Sequence, residues 1–259
     1  MNDAVGTLCT WINRATSYWQ TIPPVKESKR VLLVQCHPVP TSFNAACARA
    51  AATGLRAAGH EVRFKTLYSD ESIISTGTAG SAFNGRDFPP ALTATERAKY
   101  HDIAADIVSE TQSDSKLCPE VAEAVADLRW AQALVLVYPT WWMNVPGPLK
   151  GWLDRTFLPH VAFRLPKQAL PGDSSPTETG LQPLLTNIER VGVVTTYGAS
   201  PWIVAAAGDN GRRMISHALR PLFAPGCALR WHGLHDMDGT TPEQREEFLT
   251  QVEEAYRQF

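Results

Sequence analysis

Short apolar runs alternate along this chain with longer amphipathic stretches. The uninterrupted run Ala133 to Tyr138, rich in Val and Leu, predicts a strand buried on both faces of a parallel sheet. Arg30–Val34, Glu61–Phe64, Arg190–Thr195 and Ala228–His232 predict four more strands, alternating with helical patterns as βαβ units do. Between the first two lies Asn44 to Ala58, alanine-rich and closed by Gly59, which predicts a helix with a C-terminal stop. The last helix opens with Thr241-Pro242-Glu243-Gln244, a capping box with proline at the first helical position. It carries Phe248, Leu249, Val252, Ala255, Tyr256 and Phe259 on the face that packs on the sheet or on a partner subunit. Right-handed crossovers then give an α/β fold, a doubly wound five-stranded parallel sheet of order 2-1-3-4-5 with helices on both faces.

Three segments fall outside this unit. Val5, Leu8, Ile12, Ala15, Trp19 and Ile22 form a helical stripe ending at Pro23-Pro24, so residues 1–29 are expected to be an N-terminal accessory helical extension and 30–259 the domain proper. Ser69 to Asp87 and Pro166 to Gly180, rich in Gly, Ser, Thr, Pro and Asp, read as long surface loops or lids. The chain has no internal repeat.

Composition narrows the function more than the fold. With 259 residues and 44% hydrophobic side chains, the chain buries a large core without staples. A formal net charge of -2, with Lys and Arg scattered, argues against nucleic acid or an anionic membrane surface and for small-molecule chemistry. The five cysteines are odd in number and show no C-x-x-C spacing, so neither a disulfide framework nor a zinc ribbon is indicated, and a reducing cytoplasm fits best. No segment approaches the roughly 20 apolar residues of a membrane span, and no secretory signal is expected.

The candidate chemistry gathers at the carboxyl ends of the strands, where open α/β sheets bind ligands. After the third strand, Pro139-Thr140-Trp141-Trp142-Met143 places paired tryptophans that suit a flat aromatic ligand or cap a core. After the first, His37-Pro-Val-Pro-Thr41-Ser42-Phe43-Asn44 leads into a helix N-terminus, whose free amides and dipole suit an anion without a fixed cation; an ordinary N-cap at Ser42 or Asn44 is the alternative. After the fourth comes Thr195-Thr196-Tyr197-Gly198-Ala199-Ser200. In the order 2-1-3-4-5 these loops converge, and phosphate grip, aromatic wall and hydroxyl-rich edge together describe a flavin site. There is neither a G-x-G-x-x-G nor a G-x-x-x-x-G-K-[ST]. His232 and His235 followed by Asp236 and Asp238 could be read as metal ligands, but imidazoles after a strand need not converge, and no metal is expected. Lys150 and Asp154 on a short helix with Arg155 read as a surface i,i+4 pair.

His37 through Asn44, Leu67-Tyr68, Phe88-Pro89, Pro139-Thr-Trp-Trp, Val145-Pro146, Leu149-Lys-Gly-Trp-Leu-Asp-Arg155-Thr-Phe157 and Thr195-Thr196-Tyr-Gly198 together resemble the flavodoxin-like NAD(P)H:quinone oxidoreductases of the DT-diaphorase type. The resemblance runs from about Arg30 to Asp238. It implies bound FAD, with FMN as the alternative, NAD(P)H as co-substrate, ping-pong hydride transfer to a quinone-like acceptor, and a homodimer with sites at the interface. Carried over by position, His37, Thr41, Ser42, Phe43 and Asn44 hold the phosphate end. Pro139 to Met143 run along the ring system with backbone N–H groups near N5 and O4, and Thr195, Thr196, Tyr197 and Gly198 border its N1/O2 edge. The chain departs from the mammalian-type pattern by lacking a Tyr and a His after this last loop and by having Tyr197 in place of a glycine. The catalytic burden is then expected on Tyr197, as donor to developing charge, and on Trp202, as a stacking surface. Phe163 and the Pro166–Gly180 loop are expected to roof a neighbour's site, with Leu165 where a second aromatic can occur. The alternative from another class is a flavin-binding regulatory subunit of a cation transporter with little turnover. A one-electron carrier fits the near-neutral charge poorly.

Overall fold

In the computed structural model, residues 27–69, 87–100, 117–164 and 180–259 are described. The helical stripe at Val5–Ile22, Leu165, and most of the two long loops lie outside the described residues. In chain order, the elements begin with β1 (Arg30–Gln35), α1 (Phe43–Ala57), β2 (Glu61–Thr66), α2 (Ala94–Ala98) and α3 (Pro119–Trp130). They continue with β3 (Ala133–Thr140), α4 (Gly147–Thr156), β4 (Phe163–Arg164), β5 (Gln182–Pro183) and β6 (Arg190–Tyr197). Last come α5 (Pro201–Ala206), α6 (Asn210–Arg213), which runs on in irregular helical turns to Leu222, β7 (Ala228–Leu234) and α7 (Pro242–Arg257).

The five main strands are all parallel, ordered β2-β1-β3-β6-β7. Leaving aside the short antiparallel β4–β5 ribbon, which the sequence pattern does not announce, this is the order 2-1-3-4-5. The period of two along β1 sends Val31 and Leu33 to one face and Leu32 and Val34 to the other, so each face supports its own core. On one face the small side chains Cys47, Ala48, Ala51 and Ala52 of α1, with Phe248, Val252 and Tyr256 of α7, cover the central strands. On the other, α3 and α4 pack Val121, Leu128, Leu149 and Trp152 against the sheet. The last helix therefore lies on its own sheet.

β3 and β6 run two residues further than the apolar pattern alone suggests, because the ladder continues through Pro139↔Thr196 and Thr140↔Tyr197. Main-chain pairing does not read side-chain polarity, so residues expected in loops become the ends of central strands. Phe163 is partly buried and packs against the core of its own chain.

α1 and α7 approach closely at Gly54, where a Cβ would collide with the Glu253 carbonyl. Gly54→Ala is therefore expected to destabilise the fold by about 1–3 kcal/mol through overpacking, outweighing alanine's gain in helix propensity of about 1 kcal/mol. Urea unfolding checks this, and an unchanged or raised midpoint would show that the two helices do not meet at this position.

Candidate functional site

The carboxyl ends of β1, β3, β6 and β7 open onto one trough made of two hollows that share Thr140, Trp141 and Gly198. The inner hollow has a volume of about 350 Å³ and the outer one about 590 Å³.

The β1 loop forms one wall of the inner hollow. Ser42 caps α1, its Oγ accepting from the Ala45 N–H at 3.1 Å. Asn44 is 3% exposed, and neither its amide nitrogen nor its amide oxygen has a hydrogen-bond partner among the described residues. A buried polar side chain without a partner costs on the order of 1–3 kcal/mol, so Asn44 points to a polar group delivered into the hollow. His37 Nδ1 lies 3.0 Å from the Val39 backbone nitrogen and 3.3 Å from the Val39 carbonyl oxygen, so the loop's own backbone holds the ring. Burial, only partly opposed by the Val39 carbonyl, holds its pKa below the ordinary imidazole value. The α1 N-terminus supplies the positive field at this end of the trough. Thr41 stands exposed at the loop surface, outside both hollows.

The β3 loop supplies the aromatic element. Trp141 and Asn144 exchange backbone hydrogen bonds of 3.0 and 3.1 Å around Trp142 and Met143, whose φ angles are 49° and 58°. Two consecutive left-handed residues make a type I′ turn, a geometry that favours Asn-Gly and costs non-glycine residues roughly 1–2 kcal/mol each. The turn's own bonds use the N–H groups of Trp141 and Asn144, and those of Trp142 and Met143 find no acceptor among the described residues. Both of these residues line the outer hollow. Trp142 is wholly exposed, while Trp141, 41% exposed, leans toward His37 with ring centroids 6.1 Å apart.

On β6, Thr196 and Gly198 line the inner hollow, and Tyr197, Gly198 and Ala199 line the outer one. Thr195 is fully buried beneath this floor, its Oγ1 3.0 Å from that of Thr140, so it ties β6 to β3 without facing the trough. Tyr197 is 2% exposed, its ring stacked on His235 at 4.2 Å. Its hydroxyl donates to Asp209 Oδ1 at 3.2 Å, away from the edge where the sequence pattern placed a free donor. Burial, with the Asp209 carboxylate nearby, pushes the Tyr197 phenol far up. Trp202, on α5, is 70% exposed and lines neither hollow.

Met237 and Asp238 beyond β7 also line the inner hollow, and Val204 of α5 the outer one. None of these three was an expected site residue. The available signal was topological, since β7 neighbours β6 and its carboxyl loop must reach the same crevice. Among the described residues no group of three or more His, Cys, Asp or Glu could hold a metal. His232 is buried, its pKa lowered to about 4 by burial and then by Arg230. No described helix is long and apolar enough to cross a membrane. Cys36, Cys47, Cys118 and Cys227 are free thiols.

The family model described as flavodoxin-like fold matches residues 29–259. A ribosyldihydronicotinamide dehydrogenase-like protein, traD, of Penicillium crustosum is 31% identical over 128 residues, 49% of this chain and 43% of that one. The ribosyldihydronicotinamide dehydrogenase [quinone] of Homo sapiens is 28% identical over 141 residues, 53% of this chain and 55% of that one. The chain thus spans about half the length of these curated relatives. The NAD(P)H:quinone oxidoreductase of Methanothermobacter marburgensis superposes with a TM-score of 0.62 at 21% identity, covering 89% of this chain and 96% of that structure, and so shares the fold.

Proposed function

The chain belongs to the flavodoxin-like fold family, and on that premise we propose that it is a flavin-dependent oxidoreductase passing a hydride from NAD(P)H to a quinone-like acceptor. The observation that carries this reading is the trough itself. Its inner end has the Asn44 amide, unpartnered among the described residues, beside a capped helix N-terminus, and its outer hollow is lined by Trp142 and Met143 of a strained turn, whose backbone N–H groups find no acceptor among the described residues. A ligand with an anionic tail and a planar, acceptor-bearing head satisfies both ends, and a flavin is such a ligand.

In this reading Ser42, Phe43, Asn44 and the His37 ring hold the phosphate end, with Thr41 at its outer margin, and the α1 dipole offsets its charge. Pro139, Thr140 and Trp141 form the wall of the ring site, and the N–H groups of Trp142 and Met143 meet its acceptor edge. Thr196 and Gly198 bring the β6 backbone close, with Thr195 and Tyr197 holding that strand end in place. When bound, the flavin would supply two-electron hydride chemistry; the protein's share is to orient it, satisfy its polar atoms and exclude water. FAD is favoured over FMN on the likeness of the Thr41–Asn44 loop to FAD-binding members of the family. A homodimer completes the site, because the outer hollow is open and the Trp142 that lines it is wholly exposed. The free thiols fit a cytoplasmic setting.

Reconstitution with FAD or FMN followed by steady-state oxidation of NAD(P)H with a quinone tests the reading. Turnover supports it, and stoichiometric flavin without turnover would favour the regulatory alternative. In this reading Trp202, exposed on the same short helix as the Val204 that lines the outer hollow, is the stacking surface for a planar acceptor. Trp202→Ala is therefore expected to raise KM for the quinone about 10-fold with unchanged flavin content, the loss of about 1.4 kcal/mol of stacking. An unchanged KM would remove Trp202 from the acceptor site.

A further inference from the structure

Behind the outer hollow lies a buried polar cluster that the reading above does not use. Asp209 adopts a left-handed conformation, φ 43° and ψ 58°, between α5 and α6. Its N–H donates to the Val204 carbonyl at 3.0 Å, and its Oδ1 accepts from the Tyr197 hydroxyl at 3.2 Å. Val204 and Tyr197 both line the outer hollow, so the carboxyl sits one residue behind its wall. From β3, Tyr138 brings a second phenol, fully buried and with no partner for its hydroxyl among the described residues. From the segment beyond β7, His235 stacks on Tyr197, with Asp236 next to it. Arg212 is the cation that reaches Asp209 from its own helical segment. Burial nevertheless dominates and holds the Asp209 carboxyl above the ordinary carboxylate range, with the Tyr197 hydrogen bond and Arg212 opposing it.

Resting on the flavin reading, we infer that Asp209 is the positioning residue that compensates charge at the outer hollow by taking up a proton when a hydride arrives there and releasing it when the hydride leaves. The hydride carries two electrons and one hydrogen from the reduced nicotinamide, which is oxidised, to a neutral bound ligand, which thereby gains one negative charge. A proton from solvent binds Asp209 and offsets that charge behind the wall. When the hydride passes to the acceptor, Asp209 loses the proton again, and the acceptor's second proton comes from solvent. Negative charge arriving in the outer hollow favours the protonated carboxyl, and the phenol facing it carries no competing charge at physiological pH.

The test is potentiometry of the flavin-loaded chain across about pH 5 to 8, the range in which shifted carboxyl and imidazole groups titrate. For a two-electron couple each proton taken up adds about 30 mV per pH unit to the slope of the midpoint potential. Asp209→Asn, whose amide tolerates the left-handed backbone, is expected to lose one such increment over part of the range. Tyr197→Phe keeps the carboxyl but removes the hydrogen bond that favours its ionised form, so it is expected to move the steeper region to higher pH. The ¹³C carboxyl resonance of Asp209 in the flavin-free protein supplies an independent reading, with its pKa raised and rising further in Tyr197→Phe. A loaded Asp209→Asn chain whose slope matches the parent at every pH would overturn the inference alone. A chain that binds no flavin would overturn the underlying reading and the inference with it.

Discussion

Replacing Ser42 by aspartate is expected to lower flavin affinity by about 10²–10³-fold while leaving unfolding nearly unchanged. Ser42 caps α1 through its Oγ, and aspartate is an equally good cap, so the helix and the core it covers should survive. The same carboxylate would stand at the wall of the inner hollow, where Asp238 already brings one carboxylate and no Lys or Arg lines the cavity, so the helix dipole, His37 and Asn44 would have a further negative charge to offset. Two unit charges about 4 Å apart repel by about 4 kcal/mol at an effective dielectric of 20, and partial screening leaves the stated range. Flavin titration followed by urea unfolding of the same samples checks both halves. Parallel loss of fold and flavin would make Ser42 structural only.

The second large effect is on stability. Arg155 is 3% exposed on α4, and Glu96 of α2 accepts from its Nε at 3.1 Å and from its Nη2 at 2.5 Å through a single oxygen. Arg155 also donates to the Pro89 carbonyl, its Nη2 lies 3.0 Å from Cys118 Sγ, and its guanidinium sits 5.3 Å from the Phe88 ring. It thereby ties the segment 87–100 to the main core. Arg155→Ala leaves the half-desolvated Glu96 unpaired and should cost about 3–5 kcal/mol. Burial pushes the Glu96 carboxyl up, but Arg155 and Thr93 prevail and hold it below its ordinary value of 4.5. A carboxyl lowered in the folded state adds stability that is present above its unfolded pKa and lost as pH falls through the folded one. The gap between parent and Arg155→Ala should therefore narrow below about pH 4, as Glu96 protonates. Urea unfolding at neutral and acid pH measures it, and a constant gap would show that the ion pair is not its source.

This pair also marks where sequence reading stopped. The five strands, α1 and α7 were legible because each repeats a local rule: a buried apolar run, an alanine-rich face, a capping box. The convergence of the β1, β3 and β6 loops followed from strand order. Arg155 read as a neighbour of Lys150 on a short helix, and Lys150–Asp154 is indeed an exposed pair of 2.5 Å, but the partner that buries Arg155 lies 59 residues away and leaves no local trace. Tyr197 reads as a donor to the trough only until Asp209, 12 residues on, claims its hydroxyl. Asp238 reads as part of a possible metal cluster, yet the fold turns it into the inner hollow. Local periodicity specifies elements and their faces, whereas the partner of a buried polar group is set by tertiary packing.

Direct titration of the flavin-free chain with FAD and with FMN, followed by quenching of flavin fluorescence, tests the central claim, that the carboxyl-edge trough holds one flavin per chain. The account predicts saturation at one flavin per chain, with affinity greatly weakened in Ser42→Asp. Absence of binding to either flavin, or binding that Ser42→Asp leaves untouched, would contradict it.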